Sequence, residues 1–430
     1  MKTTYRMTSL AALAAALGAV PAIADTVADT VALGPPIQLT PIEPLGSPQS
    51  IDAATAARAA NGNLAVIWPD NVNNDYVLEI VDATGAVVVA PTVVPGPLPI
   101  NGDGLAPTLV MDAAGNFIVT WVNPVSDQSA TINARRYFAN GSVNGSDIAV
   151  ATETVGAKSS VGVFANAAVN TNGQFVVTWG VGSLLDLFGS SKGLGEYVDA
   201  SGSLKARVYN ANGSPKTRAL TLQKNGPKLG FNLQPGYYLP SPAMDSQGDF
   251  LVAWTTPAQT GLYLSGYSAS GTSLGPTVTV DSTANYSAHV NLTTLANGNF
   301  ALGWNPVSNS QSWHIQDYTS TLSPVGSMLT VPGSNVAGAI AFDPNGNFTI
   351  VYDSYVNSTD TFDAQRYAAD GTAQGSPLEL VDQDFTLYQL TPLVDANNEL
   401  AVISVLAQWD PITERDATDG YLTAQLYSAP

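Results

Sequence analysis

The residues of this chain that could do chemistry are mostly carboxylates, and the chemistries open to them are cation ligation and glycan recognition or cleavage. Two acidic stretches stand out: Asp353, Asp360 and Asp363, then Asp410, Glu414, Asp416 and Asp419. Hard cations take several oxygen ligands at once, so Asp360, Asp363, Asp416 and Asp419 are candidate calcium ligands and calcium is the one candidate cofactor. Neither stretch has the D-x-D-x-D-G spacing of a calcium loop. Two carboxylates roughly 5–10 Å apart, one with a raised pKa, also cleave glycosidic bonds. Trp409 beside Asp410, together with Trp313 and Asp353, supplies aromatic and acidic groups suited to a sugar. Tyr237 and Tyr238 are two further candidate ligand-binding aromatics.

Other chemistries are narrowed by composition. The chain has no cysteine, which removes thiolate metal sites, disulfides and attachment through a lipidated cysteine. Nucleophilic hydrolysis needs a base beside the nucleophile, usually histidine, and only His289 and His314 exist. His289 is the better candidate because it begins an expected innermost strand. The formal charge of -19 argues against a nucleic-acid partner, since phosphate contacts need a basic surface. Charge is also unevenly placed. Residues 317–419 hold 15 acidic residues against Arg366 and Arg415, whereas 158–228 hold eight basic residues against Asp186, Glu196 and Asp199. A basic sector in an acidic body suggests salt-sensitive self-association.

At the N-terminus, Lys2 and Arg6 precede an apolar run over 7–20 and then Ala22-Ile23-Ala24. This is the pattern of a signal peptide over 1–24, with a mature start at Asp25 and a short linker over 25–32. The run is too short for a spanning helix, which needs about 20 residues. A secreted or periplasmic protein with no membrane span is expected.

The elements that must position these side chains come from a repeat. Gly62, Gly115, Gly173, Gly248, Gly298, Gly346 and Asn398 each begin the same pattern, with spacings of 53, 58, 75, 50, 48 and 52. Two residues on stands Leu or Phe, four on an aliphatic residue, and six on Trp68, Trp121, Trp179, Trp254, Trp304, Tyr352 and Ser404. Large apolar groups at every second position put one strand face into a core. Asn61-Gly62, Asn172-Gly173, Asn297-Gly298 and Asn345-Gly346 suggest two-residue hairpin turns. A third strand ends in Tyr137, Tyr209, Tyr267 or Tyr367, and a fourth follows a Gly-x-x-apolar signature. The seventh unit lacks its fourth strand, and residues 34–39 supply one from the other end. The expected fold is therefore all-β: a seven-bladed β-propeller of four-stranded antiparallel blades, its single domain spanning 33–430 and closed by a strand at 33–40 that completes the last blade. Insertions over 180–203 and 223–239 should meet on one face, with the acidic stretches in second-to-third-strand loops of that same face.

The pattern D-x-x-G-N-F-x-V-x-W followed by A-Q-R-Y-x-x-x-G, best kept at 112–141 and 343–371, resembles repeats of exported bacterial β-propeller proteins of unassigned role. The resemblance covers roughly 51–427 and implies architecture alone. Two functions compete at this point. One is a non-catalytic binding propeller presenting an acidic loop face to a glycan, cation or protein. The other is a carbohydrate-active enzyme, a glycoside hydrolase or lyase, using carboxylates of that face.

Overall fold

Alternating apolar residues, punctuated by turns that demand glycine, build every element of this chain. The computed structural model describes residues 32–39, 54–70, 73, 75–94, 107–155, 160–184, 203–222, 240–255, 261–284, 289–306, 312–332, 338–356, 359–381, 385–410 and 415–429. The expected signal peptide, the linker up to residue 31, and Tyr237 and Tyr238 fall outside them. The strands form seven four-stranded antiparallel sheets arranged in a ring, a seven-bladed β-propeller as the repeat predicts. No described residue is helical. Blade 1 begins at Thr55, and blades 2 to 7 begin at Thr108, Ser160, Ser241, His289, Ala339 and Phe385.

The last blade is completed from the opposite end of the chain. Ile37 pairs with Ala424 and Gln38 with Thr423. The amides of Leu33 and Leu39 donate to the carbonyls of Leu426 and Leu422. Ring closure therefore leaves no open sheet edge at the seam between blades 7 and 1.

The repeat's turns differ from the two-residue type that the Asn-Gly pairs suggest. In blade 2 the Asp112 amide donates to the Asn116 carbonyl and the Gly115 amide to the Asp112 carbonyl. This is a three-residue connection in which one position takes positive φ, at Gly115 with φ 84°. The asparagines before the glycines have ordinary backbones; among described non-glycine residues only Leu322 and Asn398 have positive φ. Blades 1 and 5 begin this turn with Ala59 and Leu295, and the other five blades begin it with Asp or Asn, whose side chain caps it. Asp112 Oδ1 accepts from the amides of Ala114 and Asn116, which fixes the wider loop.

Each repeat position now has a physical role. Phe117 lies opposite Tyr137 and their rings stack at 4.7 Å, as do Phe175 and Tyr209. The tryptophan crosses to the preceding blade. Trp121 packs among Ile67, Leu78 and Ile80 of blade 1, and Trp179 among Ile118, Ile132 and Val150 of blade 2. Seven such interblade cores close the circle. Fully burying a large side chain in one stabilises by roughly 3 kcal/mol. The first insertion is also shorter than expected. Its residues 180–184 continue the second strand of blade 3, Leu184 opposite Ser160, and 185–202 lie outside the described residues.

Candidate functional site

Most of the acidic residues singled out above belong to strands, where loops were expected. The second and third strands of blade 6 run Phe348–Val356 and Thr359–Tyr367, and those of blade 7 run Leu400–Asp410 and Arg415–Tyr427. The corresponding pair in blade 4 is Phe250–Thr255 and Leu262–Tyr267. At about 3.3 Å per residue, the 11-residue strand of blade 7 exceeds its six-residue counterpart in blade 4 by roughly 16 Å. The register places Asp353 opposite Phe362, Asp360 opposite Tyr355 and Asp363 opposite Tyr352. In blade 7 Trp409 stands opposite Asp416 and Asp410 opposite Arg415. Asp419 falls in the irregular stretch where the register slips between Ala407 and Trp409.

Asp360 and Asp363, three apart on one strand, hold register positions of opposite parity. Among the described residues no group of three or more His, Asp or Glu is placed to hold a metal. Trp313 belongs to the core. It is 1% exposed and packs with Ile340, Phe342 and Phe348 in the core between blades 5 and 6.

The histidines part company. His289 opens the innermost strand of blade 5, opposite Asn305. His314 lies on the third strand opposite Trp304, its ring centroid 5.4 Å from the indole and its Nδ1 3.1 Å from Thr330 Oγ1. Burial holds the imidazole below its usual pKa, against an upward pull from Asp281.

Asp281 and Glu153 were not visible as special residues in the sequence. Both sit at the ends of outer strands and receive the repeat tryptophan of the next blade. Trp179 Nε1 donates to Glu153 Oε1 at 2.7 Å, and Lys205 Nζ lies 2.7 Å from Glu153 Oε2. Trp304 Nε1 donates to Asp281 Oδ2 at 2.9 Å, and the Thr283 amide and hydroxyl donate to Oδ1. Burial pushes the Asp281 carboxyl up, but these hydrogen bonds outweigh it and leave the pKa below the usual range. The chemistry is a carboxylate–indole clamp between blades. An acidic residue shortly after the fourth-strand valine is the only trace it leaves in sequence.

A second polar group closes the ring. Arg58 of blade 1 contacts Asp395 at 3.0 Å and Glu399 at 3.3 Å, both in the first turn of blade 7. Arg366 of blade 6 donates to the Asn398 carbonyl of the same turn. Burial first, and then the nearby Arg58, lower the Arg366 pKa to about 10. Arg58 and Asp395 border a central channel of about 820 Å³, whose lining includes Ala56, Ala113, Ala167 and Ala243.

Part of the basic sector is likewise internal. Lys205 holds Glu153, and Arg207 donates to the carbonyls of Val150 and Thr217. Among its described members Lys216 and Arg218 remain exposed.

No protein-family description and no curated protein matches this chain. Several solved structures do. A fungal alcohol oxidase determined with copper is 15% identical with a TM-score of 0.49, over 92% of this chain and 76% of that one. The polysaccharide lyase Uly1 is 9% identical with a TM-score of 0.49, over 93% of this chain and 100% of that one. A leech intramolecular trans-sialidase is 7% identical with a TM-score of 0.45, over 85% and 83%. The propeller assignment rests on the strand order above, and no ligand or reaction is carried over from these proteins. No helix among the described residues is long and apolar enough to cross a membrane.

Proposed function

We propose that this chain is an exported, non-catalytic glycan-binding propeller whose recognition surface is the acidic hairpin pair of blades 6 and 7. One observation carries the reading: in the long hairpin of blade 7, Trp409 and Asp416 are cross-strand neighbours and the Asp410–Arg415 pair follows directly. A sugar ring offers an apolar C–H face and a rim of hydroxyls. An aromatic ring suits the first, and carboxylate and guanidinium groups suit the second. The two hairpins together hold seven carboxylates against two arginines, and Arg366 is turned inward to the blade 7 turn.

Binding is favoured over cleavage because several carboxylates outside the hairpins already have structural duties. Glu153 and Asp281 hold indoles, Asp112, Asp343 and Asp395 hold turns, and Asp395 also faces Arg58. Export is supported by the charged and apolar pattern of residues 1–24. A glycan array probed with the mature chain tests the reading, followed by titration of any ligand found. Selective binding with no release of reducing ends or unsaturated products supports it; turnover of a bound polysaccharide would instead favour a hydrolase or lyase.

A further inference from the structure

One buried carboxyl takes part in none of the links described so far. Glu79, on the third strand of blade 1 opposite Val66, is 5% exposed, and its Oε2 has no hydrogen-bond partner. Its place in the repeat explains why that matters. In each blade the residue two before the end of the paired third strand stands where the outer strand bulges or detours. In blade 1, Leu78 faces Thr92 and Ile80 faces Val89, so the outer strand carries one extra residue opposite Glu79.

In five of the other six blades this position donates to the distorted outer segment, and in blade 4 it is hydrogen-bonded to it. Gln316 Nε2 donates to the Val325 carbonyl, Gln365 Nε2 to that of Gln374, and Gln425 Nε2 to that of Gly34. Arg207 Nε donates to the Thr217 carbonyl and Arg135 to the Asp147 carboxylate. Ser265 shares a hydrogen with the Thr277 hydroxyl. Five blades place a donor here and blade 4 a hydroxyl that can donate, whereas an ionised glutamate has no hydrogen to give.

We infer that Glu79 is held as the neutral acid, donating its hydroxyl to a carbonyl of the bulge between Val89 and Thr92 as the glutamines do in blades 5, 6 and 7, and that closure of the ring is thereby linked to a proton. The surroundings favour the neutral form. Val77 and Val81 share its face of the strand, and blade 7 opposes that face with Ile37, Leu39, Leu422, Ala424 and Leu426. None of these is ionisable. The nearest acid along the chain, Asp82, is out in the turn, where Thr84 holds it. Burial pushes the Glu79 carboxyl above the usual range. On the polar side of the same seam Glu399 is raised too, by burial and then by Asp395.

The direction of the linkage follows. A carboxyl whose native pKa is raised keeps a proton that the unfolded chain releases. Its contribution to stability is complete below the ordinary value of 4.5 and is lost as pH rises through the native value. The seam therefore tightens in acid and loosens toward neutral pH.

Thermal melts of the mature chain and Glu79→Gln from pH 4 to pH 8 test this. Equal melting at pH 4, with the variant increasingly the more stable as pH rises, is expected. A difference that stays flat with pH, a variant that is the less stable at pH 8, or one that fails to fold overturns the inference. Carbon-13 NMR of labelled glutamate carboxyls, assigned by comparison with the variant, gives a second readout. A native Glu79 titration midpoint above 4.5 is expected, and one at or below it contradicts the proposal.

Discussion

Arg58 Nη2 lies 3.0 Å from Asp395 Oδ2, and the two side chains are 1% and 0% exposed. The pair joins blade 1 to blade 7, three of whose strands come from the opposite end of the chain. Its backbone counterpart is the pairing of Ile37 and Gln38 with Ala424 and Thr423. Hydrophobic closure comes from Leu64, Val66 and Trp68 packing on Ala401, Ile403 and Leu422. Three kinds of interaction thus meet at one seam.

Removing one member of a buried ion pair leaves the other charged and without its partner, which costs about 3–5 kcal/mol. Arg58→Met should lower the stability of the whole propeller by about that amount in urea unfolding. Hydrogen exchange at the amides of Leu33 and Leu39 should quicken with it. Unfolding at the wild-type urea midpoint would show that the contact does not hold the seam.

Trp313 is core, so its loss should be felt in stability and not in recognition. Trp313→Ala is expected to cost about 3–5 kcal/mol through lost burial and a cavity. Ligand binding per folded molecule should stay as in the wild type. A variant that melts normally but has lost binding would place Trp313 on the surface.

The Asp281 clamp predicts an acid-sensitive contact. Its native pKa lies below the ordinary 3.8, so its contribution is complete above that value and is lost as pH falls through the native one. Asp281→Asn should therefore melt below the wild type at pH 6, and the gap should narrow as pH falls below about 3.8. A gap of constant size from pH 6 to pH 2.5 would show that ionised Asp281 is not what Trp304 needs.

Turn geometry gives a smaller and more local effect. Gly115→Ala places a side chain at positive φ, which costs roughly 1–2 kcal/mol. Ala113→Ser or Ala114→Ser should cost almost nothing. Equal effects at both kinds of site in urea unfolding would contradict the three-residue turn.

The architecture was legible because every copy of the repeat meets the same geometric demands. Gly115 must take positive φ, Phe117 must stack on Tyr137, and Trp121 must reach the blade before it. Such constraints recur in at least five of the seven copies and leave a periodic trace. The permuted strand at 34–39 was legible for the related reason that a missing fourth strand has to be supplied. What varied was harder to see. Residues 353–363 and 409–419 are rich in Asp, which disfavours strands, yet Tyr352, Tyr355, Phe362 and Trp409 stand at cross-strand positions of the extended hairpins. Glu153 and Asp281 act on indoles 26 and 23 residues away, in the next blade, a distance at which no local pattern is set. Trp313 carried one overlooked clue: it alternates with Ile315, which faces the same interblade core.

The account separates a repeated framework from one recognition surface, and a single variant divides them. Trp409 belongs to the blade 7 hairpin but holds no position of the repeat. Titration of a ligand found on the glycan array into the mature wild type and into Trp409→Ala, with a melting curve for each, is the direct measurement. The account predicts at least a tenfold weaker affinity for the variant, which corresponds to about 1.4 kcal/mol, with the melting temperature unchanged. Equal affinity in the two proteins would contradict the assignment of the surface.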